Sequence, residues 1–183
     1  QDEIRPNAEH WDETAHYPKE TIQAAHEMGL LNLQIPEAYG GAGLGSFEEV
    51  LVNEELAWGD PGFATAAYAT ALASAPIITG ATEEQKEHWL RKIAEEGALA
   101  SYAVTEPGAG SDVAACKTTA IKDGDEYVIN GSKMWITGAG YADFFFVLAK
   151  TDPSAGYRGM SRFVVEKYTP GFSLGKKETN MCQ

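Results

Sequence analysis

The sequence predicts a segregated α+β protein: an N-terminal all-helical domain followed by an incomplete antiparallel β-barrel or sandwich domain. Three observations predict it. Helix signals fill the first hundred residues and short strand-and-turn signals fill the rest, with no βαβ alternation between them. Charge divides at the same point, with 18 acids against 5 bases in residues 1–100 and nine of each in residues 101–183. The strand half ends without a closing element, which leaves an edge that natural sheets avoid. The expected division is therefore 1–99 for the helical domain and 100–183 for a truncated β-domain.

The helical elements follow from caps and apolar spacing. Residues 19–28 predict a short helix stopped by Gly29, and residues 30–45 a long glycine-rich connection. Ser46 with Glu49 reads as a capping box. Phe47, Val50, Leu51 and Trp58 recur near helical spacing and give that helix its apolar face, and Gly59 closes it. Asp60-Pro61 restarts a helix as N-cap and first-turn proline. Its body, residues 63–78, is dense in alanine, which predicts close packing on all sides. Thr82 with Gln85 forms a second capping box, and the last helix runs to Gly97.

From Ala100 the period changes to that of strands. Residues 101–105 form the first, residues 116–122 the second, and Asp123-Gly124 turns the chain into a return strand at residues 127–129. Asn130-Gly131 is another tight turn, leading into Met134-Trp135-Ile136-Thr137 as the end of the hairpin. Residues 144–149 and 163–165 are two further strands.

Composition excludes several classes of function. The net charge of −13 argues against a nucleic-acid partner, which needs a basic footprint. No apolar run approaches a membrane span. The four histidines show no metal-ligand spacing. Cys116 and Cys182 form no C-x-x-C pair, which fits a reducing compartment. The chain opens on Gln1 rather than methionine, so a processed or trimmed start is expected, which leaves a lost targeting peptide open.

Two segments carry chemistry. In Thr105-Glu106-Pro107-Gly108-Ala109-Gly110-Ser111-Asp112, two glycines and a proline follow a strand, with hydroxyls at either side. Such a loop lets backbone N–H groups approach a ligand, although a sharp strand-end turn accounts for the same residues. Its Gly-x-Gly lacks the third glycine and the βαβ setting of a dinucleotide fingerprint, as does the Gly-x-Gly-x-Gly at residues 41–45. In Trp135-Ile136-Thr137 an indole could lie on a planar ring while the threonine hydroxyl bonds a ring nitrogen. A barrel tryptophan with a capping threonine is the alternative.

Taken together, the segments resemble a known family. Residues 102–112 resemble the first signature of the acyl-CoA dehydrogenases, and residues 130–137 the second, at the family's spacing. Residues 35–41, 54–57 and 175–181 are similar to three further family stretches, so the resemblance runs almost the whole chain in order, nearest the medium- and short-chain branches. It implies a first helical domain plus the opening half of a middle β-domain, with the family's C-terminal helical bundle absent. It also implies FAD as cofactor. Tyr102, Val104, Thr105, Gly110, Ser111, Trp135, Ile136 and Thr137 would line it, and Ser111 and Arg158 would approach the CoA substrate.

The implied reaction is α,β-dehydrogenation of an acyl-CoA thioester in fatty acid or amino acid breakdown. A glutamate removes the α-proton, and electrons pass on to an electron-transferring flavoprotein. No residue here matches that catalytic base, and Glu106 matches a signature glutamate instead. The family setting implies a homo-oligomer, dimer or tetramer, in the mitochondrial matrix of a eukaryote or the cytoplasm of a bacterium. Gly138 stands where many members have asparagine, and Cys182, expected to be a buried small residue, where many have glycine. Two other readings share the motifs: a non-catalytic module acting as a structural or interaction subunit, and an oxygen-using acyl-CoA oxidase.

Overall fold

Asp60 shows how local chemistry sets the helical half. Its carboxylate accepts hydrogen bonds from the Gly62 and Phe63 amides at 3.3 and 2.7 Å. It thereby caps helix α4 (Pro61–Gly80), whose first turn begins with proline as predicted. In the computed structural model, which describes residues 2–178, α4 is preceded by α1 (Ala8–Thr14), α2 (Lys19–Glu27) and α3 (Ser46–Gly59) and followed by α5 (Glu83–Glu96). The Thr82–Gln85 capping box forms: each backbone amide donates to the other's side chain, at 3.0 and 3.3 Å. Gly29 and Gly97 take left-handed φ of 70° and 68° just beyond α2 and α5, as helix-stopping glycines do.

Three helical expectations need correction. The cap of α3 sits one residue earlier than Ser46: extended Gly45 donates its amide to Glu48 Oε2 at 3.0 Å. The apolar row Phe47, Val50, Leu51 and Trp58 does not pack inward but is 47–71% exposed, and Leu56 is the buried residue of α3. Helix α4 is not packed all round either. Phe63, Ala67, Ala71 and Ser74 are buried, while Thr65, Tyr68, Leu72, Ala75 and Thr79 form an exposed row at helical spacing. At 20 residues and a mean hydropathy of 1.2, α4 does reach the length and composition of a membrane span. In this fold its buried face packs on α3, α5 and the first strand.

The sheet has strands β1 (Ala100–Ala103), β2 (Thr119–Asp123), β3 (Glu126–Asn130), β4 (Phe144–Lys150) and β5 (Met160–Glu166). It is the expected incomplete β-domain after the helices, but it is mixed and open rather than purely antiparallel. Strand β4 is the hub: β1 runs parallel to it from Ala100↔Phe144 to Ala103↔Val147, and β5 pairs antiparallel along its full length. Strand β2 meets β4 only at Thr119↔Lys150, also in parallel, and forms the predicted hairpin with β3 around Gly124 at φ 61°. The parallel pairs arise because some forty residues separate β1 from β4, and a long connection need not reverse direction.

Alternation along β1 and β4 gives the sheet two apolar faces. Ala100, Phe144 and Phe146 face the helices and join Ile35, Ala73, Ile77, Leu90 and Ile93 in the main core. Ala103, Phe145 and Val147 face the other way, against Ile136, Ala139, Phe163, Val165 and Phe172. Burying a phenylalanine such as Phe144, at 0% exposure, contributes on the order of 2 kcal/mol. Residues 134–137 are not a strand: Trp135 takes a left-handed φ of 57°, and a turn follows in which Tyr141 and Ala142 donate to the Gly138 carbonyl. Cys182 and the Asn180-Met181 match lie outside the described residues.

Candidate functional site

The second sheet face, away from the helical core, opens into a cleft of about 2050 Å³. Its floor includes Ala103, Phe145, Val147 and Phe163, and its rim the irregular residues 132–141 together with Trp11, His16 and Tyr17 from the chain's start. Small-molecule pockets commonly hold 300–1,000 Å³, so this one has room for a ligand of dinucleotide-cofactor size. Trp135 and Thr137 stand exposed on the rim, and Ile136 is partly buried beneath them. An apolar floor, a free indole and a hydroxyl suit a planar ring with polar edges.

The rim is tied to the loop after β1. Met134 N donates to Thr105 O at 2.9 Å, and the Ser101 hydroxyl donates to Thr137 O at 2.7 Å. Lys133 Nζ donates to Val104 O at 3.2 Å and to Glu106 Oε1 at 2.7 Å. Glu106 is buried and accepts further bonds from the Lys117 amide (2.6 Å), the Thr118 amide (3.1 Å), the Thr118 hydroxyl and the Cys116 thiol (3.0 Å). Burial disfavours its charge, but the Cys116, Lys133, Thr118 and Lys117 donors outweigh burial and hold the carboxyl far below the ordinary carboxylate range. Burial, and donation to Glu106, push the Cys116 thiol up. That thiol is therefore a buried, protonated partner rather than a nucleophile.

The structure brings the two predicted segments side by side but gives them different surroundings. Trp135, Ile136 and Thr137 line the cleft. The Tyr102 side chain lies on the opposite sheet face, stacked on Phe146 with centroids 5.3 Å apart, and Val104 packs in the same helical core. Thr105 is partly buried where its carbonyl meets Met134. Gly110 and Ser111 are exposed on the loop, with open space around Gly110. Arg158 is exposed in the 3₁₀ segment Pro153–Gly159, its guanidinium over the Tyr157 ring at 5.7 Å, and is not part of the cleft lining. Gly138, also on the cleft, takes a left-handed φ of 71°, a conformation that asparagine tolerates best among other residues.

Some site residues carried no motif of their own. Tyr17 and Tyr141 stack across the rim at 4.1 Å, with 10° between ring planes. Burial, then the neighbouring Tyr141, raises the Tyr17 pKa to about 12. Thr118 lies so close to the backbone of Gly131 that a Cβ there would sit 2.2 Å from its hydroxyl. Lys133 lies within residues 130–137, yet only the fold shows its partner, Glu106. Among the described residues no group of three or more His, Cys, Asp or Glu is placed to hold a metal ion.

Comparison with known proteins matches residues 1–97 to the N-terminal domain of acyl-CoA dehydrogenases and residues 101–183 to their middle domain. A curated relative, the probable medium-chain specific acyl-CoA dehydrogenase 2, mitochondrial, of Caenorhabditis briggsae, is 48% identical over 182 residues, covering 97% of this chain and 44% of the relative. The solved structure of butyryl-CoA dehydrogenase from Megasphaera elsdenii superposes with a TM-score of 0.90 at 39% identity, over 96% of this chain and 47% of its own. An acyl-CoA dehydrogenase from Bacillus anthracis, solved in complex with FAD, gives 0.84 at 37% identity, over 97% of this chain and 30% of its own. The chain spans about half the length of the curated relatives it matches.

Proposed function

This chain belongs to the acyl-CoA dehydrogenase family, and on that basis we propose that it serves an FAD-dependent oxidoreductase that desaturates acyl-CoA thioesters between the α and β carbons. The observation that carries the reading is the cleft on the second sheet face, with Trp135 and Thr137 on its rim and the Thr105–Met134 hydrogen bond joining both signatures beside it. The residues suit a flavin: apolar floor for the ring, indole to cover it, hydroxyl for its polar edge. Bound FAD would supply the two-electron acceptor for the hydride leaving the β carbon.

The chain's own residues would bind and orient. Trp135 and Ile136 give the ring apolar contact and exclude water, and Thr137 offers its hydroxyl. The side chains of Tyr102 and Val104 are committed to the other face, so these two residues would act through their main chain. Thr105, Gly110 and Ser111 would offer hydroxyls and close backbone from the adjoining loop, and Ser111 and Arg158 would be the residues to approach the CoA arm. Glu106 is no general base, because every donor around it stabilises its ionised form and leaves it a weak proton acceptor. The base belongs to a part of the family architecture that this chain does not span.

The same reading makes an electron-transferring flavoprotein the redox partner and the assembly a dimer or tetramer. The compartment follows origin: the mitochondrial matrix in a eukaryote, the cytoplasm in a bacterium. The test is direct. The native protein carrying this sequence should purify yellow, and its visible flavin absorbance should bleach when short- or medium-chain acyl-CoA is added without oxygen. A colourless protein, or no bleaching with any saturated acyl-CoA, would overturn the assignment.

A further inference from the structure

We propose that Glu106 and Lys133 are a positioning pair that fixes the Trp135 turn at the cleft rim, a role that rests on the flavin reading of that cleft. The two charges lie 2.7 Å apart with side chains 6% and 11% exposed. A buried ion pair is expensive to desolvate and often stabilises no more than apolar residues of the same shape would. Its presence is better explained by the geometry it imposes.

That geometry is specific. Glu106 is fastened to residues 116–118 by donors from Cys116, Lys117 and Thr118, so it is a fixed post. Lys133 reaches this post and the Val104 carbonyl together. One residue on, Met134 N is bonded to Thr105 O. Trp135 then takes φ 57°, a conformation a tryptophan disfavours, with its side chain 65% exposed. So open a side chain has little packing of its own to hold such a backbone. The constraint comes from the two anchored residues before it and from the Ser101–Thr137 bond after it. The pair thus couples the loop that follows β1 to the angle at which the indole faces the cleft.

The test compares Lys133→Met with Ile93→Val in the native protein. Ile93 is fully buried in the helical core and does not line the cleft, so Ile93→Val removes packing but leaves the Lys133 tether. Lys133→Met should weaken FAD binding at least tenfold and speed hydrogen exchange of the Met134 amide at least tenfold. Ile93→Val should lower Tm while leaving FAD affinity and Met134 exchange within twofold of wild type. Equal effects of both variants on FAD affinity, or Met134 exchange unchanged in Lys133→Met, would reduce the pair to general stability and overturn the proposal. Should Lys133→Met fail to accumulate, Lys133→Gln is read by the same criteria. If wild type takes up no FAD, the flavin reading fails, and Met134 exchange in the unliganded protein still judges the tether.

Discussion

Tyr17 lies flat on Tyr141, ring centroids 4.1 Å apart and planes within 10°, so the link between the first two helices rests directly on the turn that follows Trp135. This contact spans the cleft rim and joins the beginning of the chain to the sheet half. It also gives the protein an alkaline weak point.

The Tyr17 phenol ionises near pH 12 in the folded protein and near 10 when unfolded. The folded state thus favours the neutral form. Its contribution is complete below about pH 10 and is lost as pH rises towards 12. Denaturant titrations at pH 8 and pH 11 should show wild type losing more stability than Tyr17→Phe over that interval, by on the order of 1 kcal/mol. Parallel losses in the two proteins would refute the link.

Gly131→Ala should destabilise the protein by about 1–3 kcal/mol, the range for overpacking. The added Cβ would meet the Thr118 hydroxyl at 2.2 Å and its Cα at 2.8 Å, so backbone as well as side chain must yield. Gly124→Ala is the companion, since nothing lies within 4 Å there and only its φ of 61° resists. Urea melts should rank Gly131→Ala as the more harmful.

Glu106→Gln should cost about 3–5 kcal/mol at neutral pH, because it leaves Lys133 charged and buried without its partner. The Glu106 pKa is depressed on folding, so its stabilisation is present above the ordinary carboxylate range and is lost as pH falls below about 4. The gap between wild type and Glu106→Gln in thermal melts should therefore hold from pH 6 to about pH 5 and narrow as the pH falls on to 3. A constant gap would mean that Glu106 is not ionised in the fold.

The sequence reading succeeded wherever local chemistry decides. Asp60 and Thr82 have side chains suited to capping, and Gly29 and Gly97 supply the positive φ that ends a helix, so those boundaries could be read directly. It failed where distant packing decides. The apolar row on α3 has helical period, but period cannot tell a face that meets the core from one that meets solvent. The direction of β1 against β4 depends on how some forty intervening residues travel, and residues 134–137 look like a strand until Met134 and Lys133 are seen tethered to the β1 loop. The Trp135 segment was found by its resemblance, whereas its tether was visible only in three dimensions.

Trp135→Ala should loosen FAD about tenfold or more, and Thr137→Ala should shift the flavin's reduction potential while altering affinity less. Both residues are exposed on the rim, so both variants should keep Tm within a few degrees of wild type. Fluorescence titration, spectroelectrochemistry and thermal melts separate these effects. Unchanged affinity and potential in both variants would remove the two residues from the cofactor site.

The position of β4 between partners from either end of its domain has a consequence for synthesis. A ribosome releases Phe144–Lys150 after β1, β2 and β3 but before β5. For the time needed to make about a dozen more residues, one full edge of a strand carrying three consecutive phenylalanines has no mate. Stalling translation at the length where Lys150 has just left the ribosome should therefore yield nascent chains that self-associate or are captured by chaperones. Stalling far enough downstream for Met160–Glu166 to emerge should release them.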